Sequence, residues 1–127
     1  MDKIIIETKK ANSNPMNSQA TKKNNILFTS QKAAIDPVDG EIVGIDDIKT
    51  QTDRVIRNIL AIVEAGGGTR KDIVKITVYL KDKKHVQGLN EVYTQYFPDE
   101  LPARSLILTN FAKEELLVEM DAIAIVD

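Results

Sequence analysis

Cysteine is absent from the 127 residues. That excludes disulfides, thiolate metal sites and cysteine nucleophiles together. Tryptophan is absent as well, and three tyrosines and three phenylalanines make up the whole aromatic complement. Histidine occurs once, as His85, so one chain cannot assemble a multi-histidine metal site. No charge dominates: 17 basic and 19 acidic residues give a net charge of −2. That balance leaves no basic stripe for nucleic acid, and there is no interleaved basic and aromatic patch. No apolar run approaches the roughly 18 residues of a membrane-spanning helix. The opening MDKIIIETKK has three consecutive isoleucines and no signal-peptide core. The expected compartment is the cytoplasm.

What is present reads as one domain over residues 1–127, long enough to bury about two-thirds of its unfolded surface. Ile4 to Glu7 reads as a short strand flanked by lysines. Residues 9–25, KKANSNPMNSQATKKNN, are polar and turn-rich and read as a loop. ILFTS, Ile26 to Ser30, is a second strand. DPVDG, Asp36 to Gly40, has tight-turn chemistry and leads to a third short strand at Glu41–Val43. The period then changes. Ile48, Thr52, Val55, Ile56, Ile59, Ile62 and Val63 form a helical stripe, with Asp46 as cap and Gly66 to Gly68 as stop. Val74, Ile76, Val78 and Leu80 alternate as a strand face against Lys75, Thr77 and Tyr79. Asp82 caps a second helix with the stripe Val86, Leu89, Tyr93, Tyr96 and Phe97, ended by Pro98. Arg104 to Asn110 and Leu116 to Val126 are the last strands. The predicted order is β-β-β-α-β-α-β-β, an α+β arrangement with a six-stranded sheet.

The last strand poses a problem of faces. Leu116, Val118, Met120, Ala122, Ala124 and Val126 share one face and are all apolar. Glu119, Asp121, Ile123 and Ile125 share the other. Two amphipathic helices need one sheet face to bury their stripes. The second face, with Tyr79, Ile123 and Ile125, then wants cover from another copy of the chain. Carboxylates on a covered face need partners.

Two polar residues stand out inside apolar strands. Arg104 shares a face with Leu106 and Leu108. It is either a surface residue at a strand start or a planar fork for a carboxylate or phosphate. Glu119, beside isoleucines, is either a structural ion-pair member or a carboxyl with a raised pKa that carries protons near neutral pH. Asp121 reads as structural, paired with a neighbour. The remaining candidates read as structural. His85 follows charged residues at a helix start and is expected at the surface, so no serine triad is expected. GGGTRK lacks the spacing and the Lys-Ser/Thr end of a phosphate loop and follows a helix, so it reads as a helix stop. Tyr93 and Tyr96 read as core.

These residues also carry a resemblance. Along TSQKAAIDPVDGEIV, NILAIVEAGG, KDIVKITVYLKD, LNEVYTQYF, PARSLI and VEMDAIA, nearly its whole length, the chain resembles the YjgF/RidA family of enamine and imine deaminases. The resemblance implies a chorismate-mutase-like fold, with two helices on one face of a mixed sheet. It further implies a homotrimer around a central barrel, with pockets between subunits. It implies that Arg104 holds a substrate carboxylate, that Glu119 positions the attacking water, and that Asn90 lies near the same pocket. The implied substrates are 2-aminoacrylate and related 2-imino acids released by pyridoxal-phosphate-dependent dehydratases. The products are 2-keto acids and ammonia, with no metal or cofactor. The resemblance makes the chain similar to a 2-iminobutanoate/2-iminopropanoate deaminase.

The chain departs from the family at the pocket. Asn17 stands where a tyrosine is usual. Gln31, Lys32, Ala33 and Ala34 replace a Gly-Gln-Ile-Pro segment whose glycine backbone helps hold the carboxylate. Leu106 replaces a hydroxyl or thiol residue. Lys32 either adds a positive charge to the pocket or points to solvent. Arg104, Asn90, Asn17, Gln31, Lys32 and Leu106 are thus the expected binding residues. A non-catalytic carboxylate-binding trimer is the competing reading, with a ribonuclease, disfavoured by the charge balance, behind it.

Overall fold

The alternation of apolar and polar residues and the two helical stripes sort the chain into seven strands and two helices. In the computed structural model, which describes residues 2–127, the strands are β1 Ile4–Ile6, β2 Ala20–Lys23, β3 Ile26–Thr29, β4 Lys32–Ala33, β5 Ile73–Leu80, β6 Ala103–Leu108 and β7 Val118–Ile125. The helices are α1 Ile48–Ala65 and α2 Val86–Tyr96. The sheet runs β1-β2-β3-β7-β5-β6. Only β5 and β6 pair in parallel, so the sheet is mixed. β4 joins it further along the β3 edge of β7: β3 pairs with Ile123–Ile125, β4 with Met120 and Glu119.

Five local expectations change. The sheet has seven strands rather than six. The polar stretch 9–25 contains β2, because ATKK is held by antiparallel pairing to β1 and β3 rather than by its own propensity. The strand expected at Glu41–Val43 is only a bridge between Ile35 and Ile42; Lys32–Ala33 forms the regular pairing instead. Asp47, not Asp46, caps α1: its carboxylate accepts from the Thr50 N–H at 3.1 Å, while Asp46 turns the chain with a φ of 60°. His85 is half-buried, the last residue of a short 3-10 turn that Asp82 caps ahead of α2.

Both helices pack on one sheet face. Ile59 and Ile62 of α1 and Leu89 and Phe97 of the α2 segment join Val78, Leu80, Met120 and Ala122 in one core. Each of these side chains larger than alanine contributes about 1.5–3 kcal/mol by leaving water. The predicted apolar face of β7 is buried throughout. On β5 a bulge between Ile73 and Lys75 shifts the alternation, so Ile73 enters the core and Val74 faces out, 46% exposed.

Polar side chains also enter this core. Asn58, fully buried on α1, donates to Asn12 Oδ1 and to the carbonyls of Ala33 and Ile35 at 3.0–3.2 Å, and accepts from Arg54 Nε at 3.1 Å. The helix thereby grips the β4 segment and the loop after β1. Asn58→Ala removes the side-chain donor from the Ile35 carbonyl and from Asn12 Oδ1 in the interior, while the Ala33 carbonyl keeps the Ile35 N–H at 2.9 Å. We expect it to lower the unfolding free energy by about 2–4 kcal/mol, read as an earlier urea midpoint with unchanged slope.

The opposite sheet face has no helix. Pairing registers place Ile5, Ile26, Phe28, Ile107 and Ile125 there, each 37–49% exposed. Among the described residues no helix is long and apolar enough to cross a membrane.

Candidate functional site

Arg104 is set by its strand register. It pairs with Ile76, a core residue, so its side chain rises on the helix side of the sheet. Two residues of α2, one turn apart, receive it. Nη1 donates to Asn90 Oδ1 at 2.8 Å, and the guanidinium lies 4.7 Å from the Tyr93 ring centroid. Tyr93 is itself fixed, 5% exposed and packed against Phe97 with ring centroids 4.9 Å apart. Among the described residues the Arg104 side chain makes no other hydrogen bond and no ion pair, so the rest of its exposed planar fork is uncommitted, a geometry that could take a carboxylate. Leu106, two residues on, is half-buried on the same face.

Glu119 points the other way. It pairs with Tyr79 on β5 and with Ala33 on β4, on the face without helices. Gln31, two residues before Ala33, donates from Nε2 to Glu119 Oε1 at 2.9 Å. The carboxyl is half-buried, and this burial raises its pKa; the Gln31 hydrogen bond and the Lys32 charge pull it partly back. No donor among the described residues reaches Oε2. Two positions along, Asp121 accepts from the Tyr79 hydroxyl at 2.8 Å, which makes it the paired, structural carboxylate. Burial first, and then that hydrogen bond, raise the Tyr79 pKa.

The expected binding residues therefore fall into separate places. Arg104, Asn90 and Leu106 gather on the helix side. Glu119 and Gln31 gather on the open side. Asn17 is exposed in the loop before β2 and lines a surface pocket with Glu7, Lys9 and Gln19 that includes neither Arg104 nor Glu119. Lys32 corrects both expectations held for it. It faces neither solvent nor an open pocket: opposite Met120, it enters the core side, only 2% exposed, and donates to the Asn12 carbonyl at 3.0 Å. Sequence reasoning took Tyr93 as core and missed it as a platform, although its spacing of three from Asn90 puts both on one helix face. It also missed Asn58, whose signal was a polar residue at a stripe position between Val55 and Ile62. Among the described residues no group of three or more His, Asp or Glu side chains is placed to hold a metal ion.

One geometric fact governs what this arrangement can do. Arg104 and Glu119 flank β5 at positions three residues apart, on opposite faces. Two strand spacings of about 4.8 Å and three rises of about 3.3 Å put their Cα atoms about 14 Å apart. Within one chain they cannot grip the same small molecule.

Residues 8–126 match the family model described as Endoribonuclease L-PSP. The chain belongs to the YjgF/RidA family. A RutC family protein of Pyrococcus abyssi is 46% identical over 126 residues, 98% of each chain. A YjgF/RidA relative from Acinetobacter baylyi named 3-aminoacrylate deaminase RutC is 33% identical over 105 residues, 83% of this chain and 82% of that one. The crystal structure of E. coli TdcF with bound serine matches with a TM-score of 0.90 at 31% identity, covering 98% of this chain and 99% of that one. The layered α+β architecture is thus the YjgF/RidA fold.

Proposed function

We propose that this protein hydrolyses small enamines and imines bearing a carboxylate, such as 2-aminoacrylate, to 2-keto acids and ammonia, in pockets completed between copies of the chain. The observation that carries the reading is that one sheet carries, on opposite faces, an outward guanidinium fork and a half-buried carboxyl of raised pKa with one oxygen uncommitted. The apolar open face supplies the reason for assembly, and a homotrimer is the assembly the family resemblance implies. One copy then provides Arg104 and a neighbour provides Glu119. The named activity of the Acinetobacter relative and the serine held by TdcF, itself a small carboxylate, support the substrate class.

The chemistry suits these parts. Arg104 binds the substrate carboxylate and fixes the imine carbon near Glu119. Glu119 orients a water and takes its proton as the oxygen bonds to that carbon. The carboxylic acid so formed returns the proton to the nitrogen of the tetrahedral intermediate. The hydroxyl of the intermediate passes its proton to that nitrogen as the C–N bond breaks, so ammonia leaves and the keto acid remains; an enamine such as 2-aminoacrylate enters this sequence as its imine tautomer, one nitrogen-bound proton having moved to the methylene carbon. No electrons are gained or lost overall.

One observation favours a second reading. Gln31 lies on Glu119 Oε1 where the family carries a glycine, which suits a module that binds keto acids without turnover. The deciding experiment generates 2-aminoacrylate with a dehydratase, traps survivors with semicarbazide, and follows keto-acid release. Release faster than in buffer supports the deaminase. Release equal to buffer, with keto-acid binding retained in calorimetry, supports the binding module.

A further inference from the structure

Arg104 stands exposed on β6, the last strand in the sheet order. A long side chain in such a place samples many rotamers, and a ligand that has to order it loses affinity to that ordering. Here the ordering is already made, from two directions. Nη1 donates to Asn90 Oδ1 at 2.8 Å, which leaves the edge formed by Nε and Nη2 free. The face of the Tyr93 ring lies against the guanidinium, its centroid 4.7 Å from Cζ. That is well inside the ~6 Å over which a ring face attracts a cation. The ring itself has little room to move. It is 5% exposed, three residues from Asn90 on α2, and packed with its centroid 4.9 Å from that of Phe97.

The Tyr93 hydroxyl takes no part in this contact. It is buried and has no hydrogen-bond partner among the described residues. A group of that kind costs stability rather than adding to it. Burial also raises its pKa, with the Arg104 charge opposing, so it stays a neutral phenol. What the site uses is the ring.

We propose that Tyr93 is a positioning residue for Arg104: its ring face holds the guanidinium plane while Asn90 fixes the rotation, so that the Nε–Nη2 edge is set for a carboxylate before one arrives. The proposal rests on the reading of Arg104 as the carboxylate fork. It separates the two α2 residues by role, Asn90 through a hydrogen bond and Tyr93 through the charge distribution of its ring.

The test does not depend on turnover. Nitrogen-15 NMR follows the Arg104 Nε–H, assigned by its loss in Arg104→Lys, while pyruvate is titrated into wild type, Tyr93→Phe and Tyr93→Leu. In wild type the ring current should move the Nε proton upfield. Tyr93→Phe should retain both that shift and the pyruvate affinity. Tyr93→Leu should return the proton to the ordinary arginine position and weaken pyruvate binding about twofold to thirtyfold. If Tyr93→Leu, folded by circular dichroism, binds pyruvate as wild type does, the proposal alone is overturned and the carboxylate fork stands. Equal losses in Tyr93→Phe and Tyr93→Leu also overturn it, because the hydroxyl then matters. Should Tyr93→Leu not fold, pentafluorophenylalanine at position 93 decides. It keeps the ring shape and reverses the charge of the ring face, so binding should weaken, and unchanged binding overturns the proposal. Wild type that binds no pyruvate removes the carboxylate reading of Arg104, and the proposal with it, whatever the ring shift.

Discussion

Glu119→Gln is expected to lower kcat/KM for 2-aminoacrylate hydrolysis by about a hundredfold to ten-thousandfold, the range for losing a positioned proton carrier. Glutamine matches the shape and still offers an oxygen to Gln31, so fold and carboxylate binding should persist and the loss should fall on kcat. The pH profile carries the sharper signature. Only the ionised form can accept the water proton, so wild-type rate falls as pH drops through the Glu119 pKa. Burial sets that acid limb above the usual carboxylate range, and the variant has no such limb. Stability has the opposite sign. A raised folded-state pKa means the folded protein holds this proton more tightly than the unfolded chain, whose ordinary value is 4.5. That contribution is complete below the unfolded value and is lost as pH rises through the folded one. The variant should therefore be more stable than wild type at neutral pH, by urea unfolding, while almost inactive. A variant that keeps its rate sinks the assignment.

Mixing two inactive proteins should restore activity. Arg104→Ala removes the carboxylate fork, and Glu119→Ala the proton carrier. Each homo-oligomer should be inactive. The two residues project from opposite faces, so in the proposed reading a working pocket would take its arginine from one copy and its glutamate from another. After dissociation and random reassembly in equal amounts, about a quarter of pockets pair an intact arginine with an intact glutamate. About a quarter of wild-type rate should return, and none without reassembly. If mixed oligomers form and stay silent, both groups serve one pocket from one chain, contrary to the register.

The faces behind both predictions were readable before any coordinates. Strict alternation from Leu116 to Val126 separates core from open side, and the register of Arg104 follows from its place among Leu106 and Leu108. Other features escaped for physical reasons. β2 has the sequence ATKK, and its extended form comes from neighbours on both sides rather than from its own residues. Val74 looked like core because alternation carries no mark of an inserted residue. The Gln31–Glu119 hydrogen bond spans 88 positions and exists only once β4 has chosen its register. Lysine is so rarely buried that its type argues for the surface. What holds Lys32 inside is a backbone carbonyl 20 positions upstream, invisible to any side-chain pattern.

The alternation of β7 also bears on how this protein can change. Its even-numbered residues are packed in the core; Glu119, Asp121, Ile123 and Ile125 lie on the open face, the two carboxylates held there by Gln31 and Tyr79. Neighbours in the chain thus meet different physical constraints. Substitutions at odd positions can retune chemistry or assembly while the hydrophobic interior stays as it is, and the interior can be repacked without touching the reacting groups. β4 lacks that freedom. Lys32, buried on the core side of this two-residue strand, directly follows Gln31, which bonds Glu119 on the open side, so a slip of register there alters both at once.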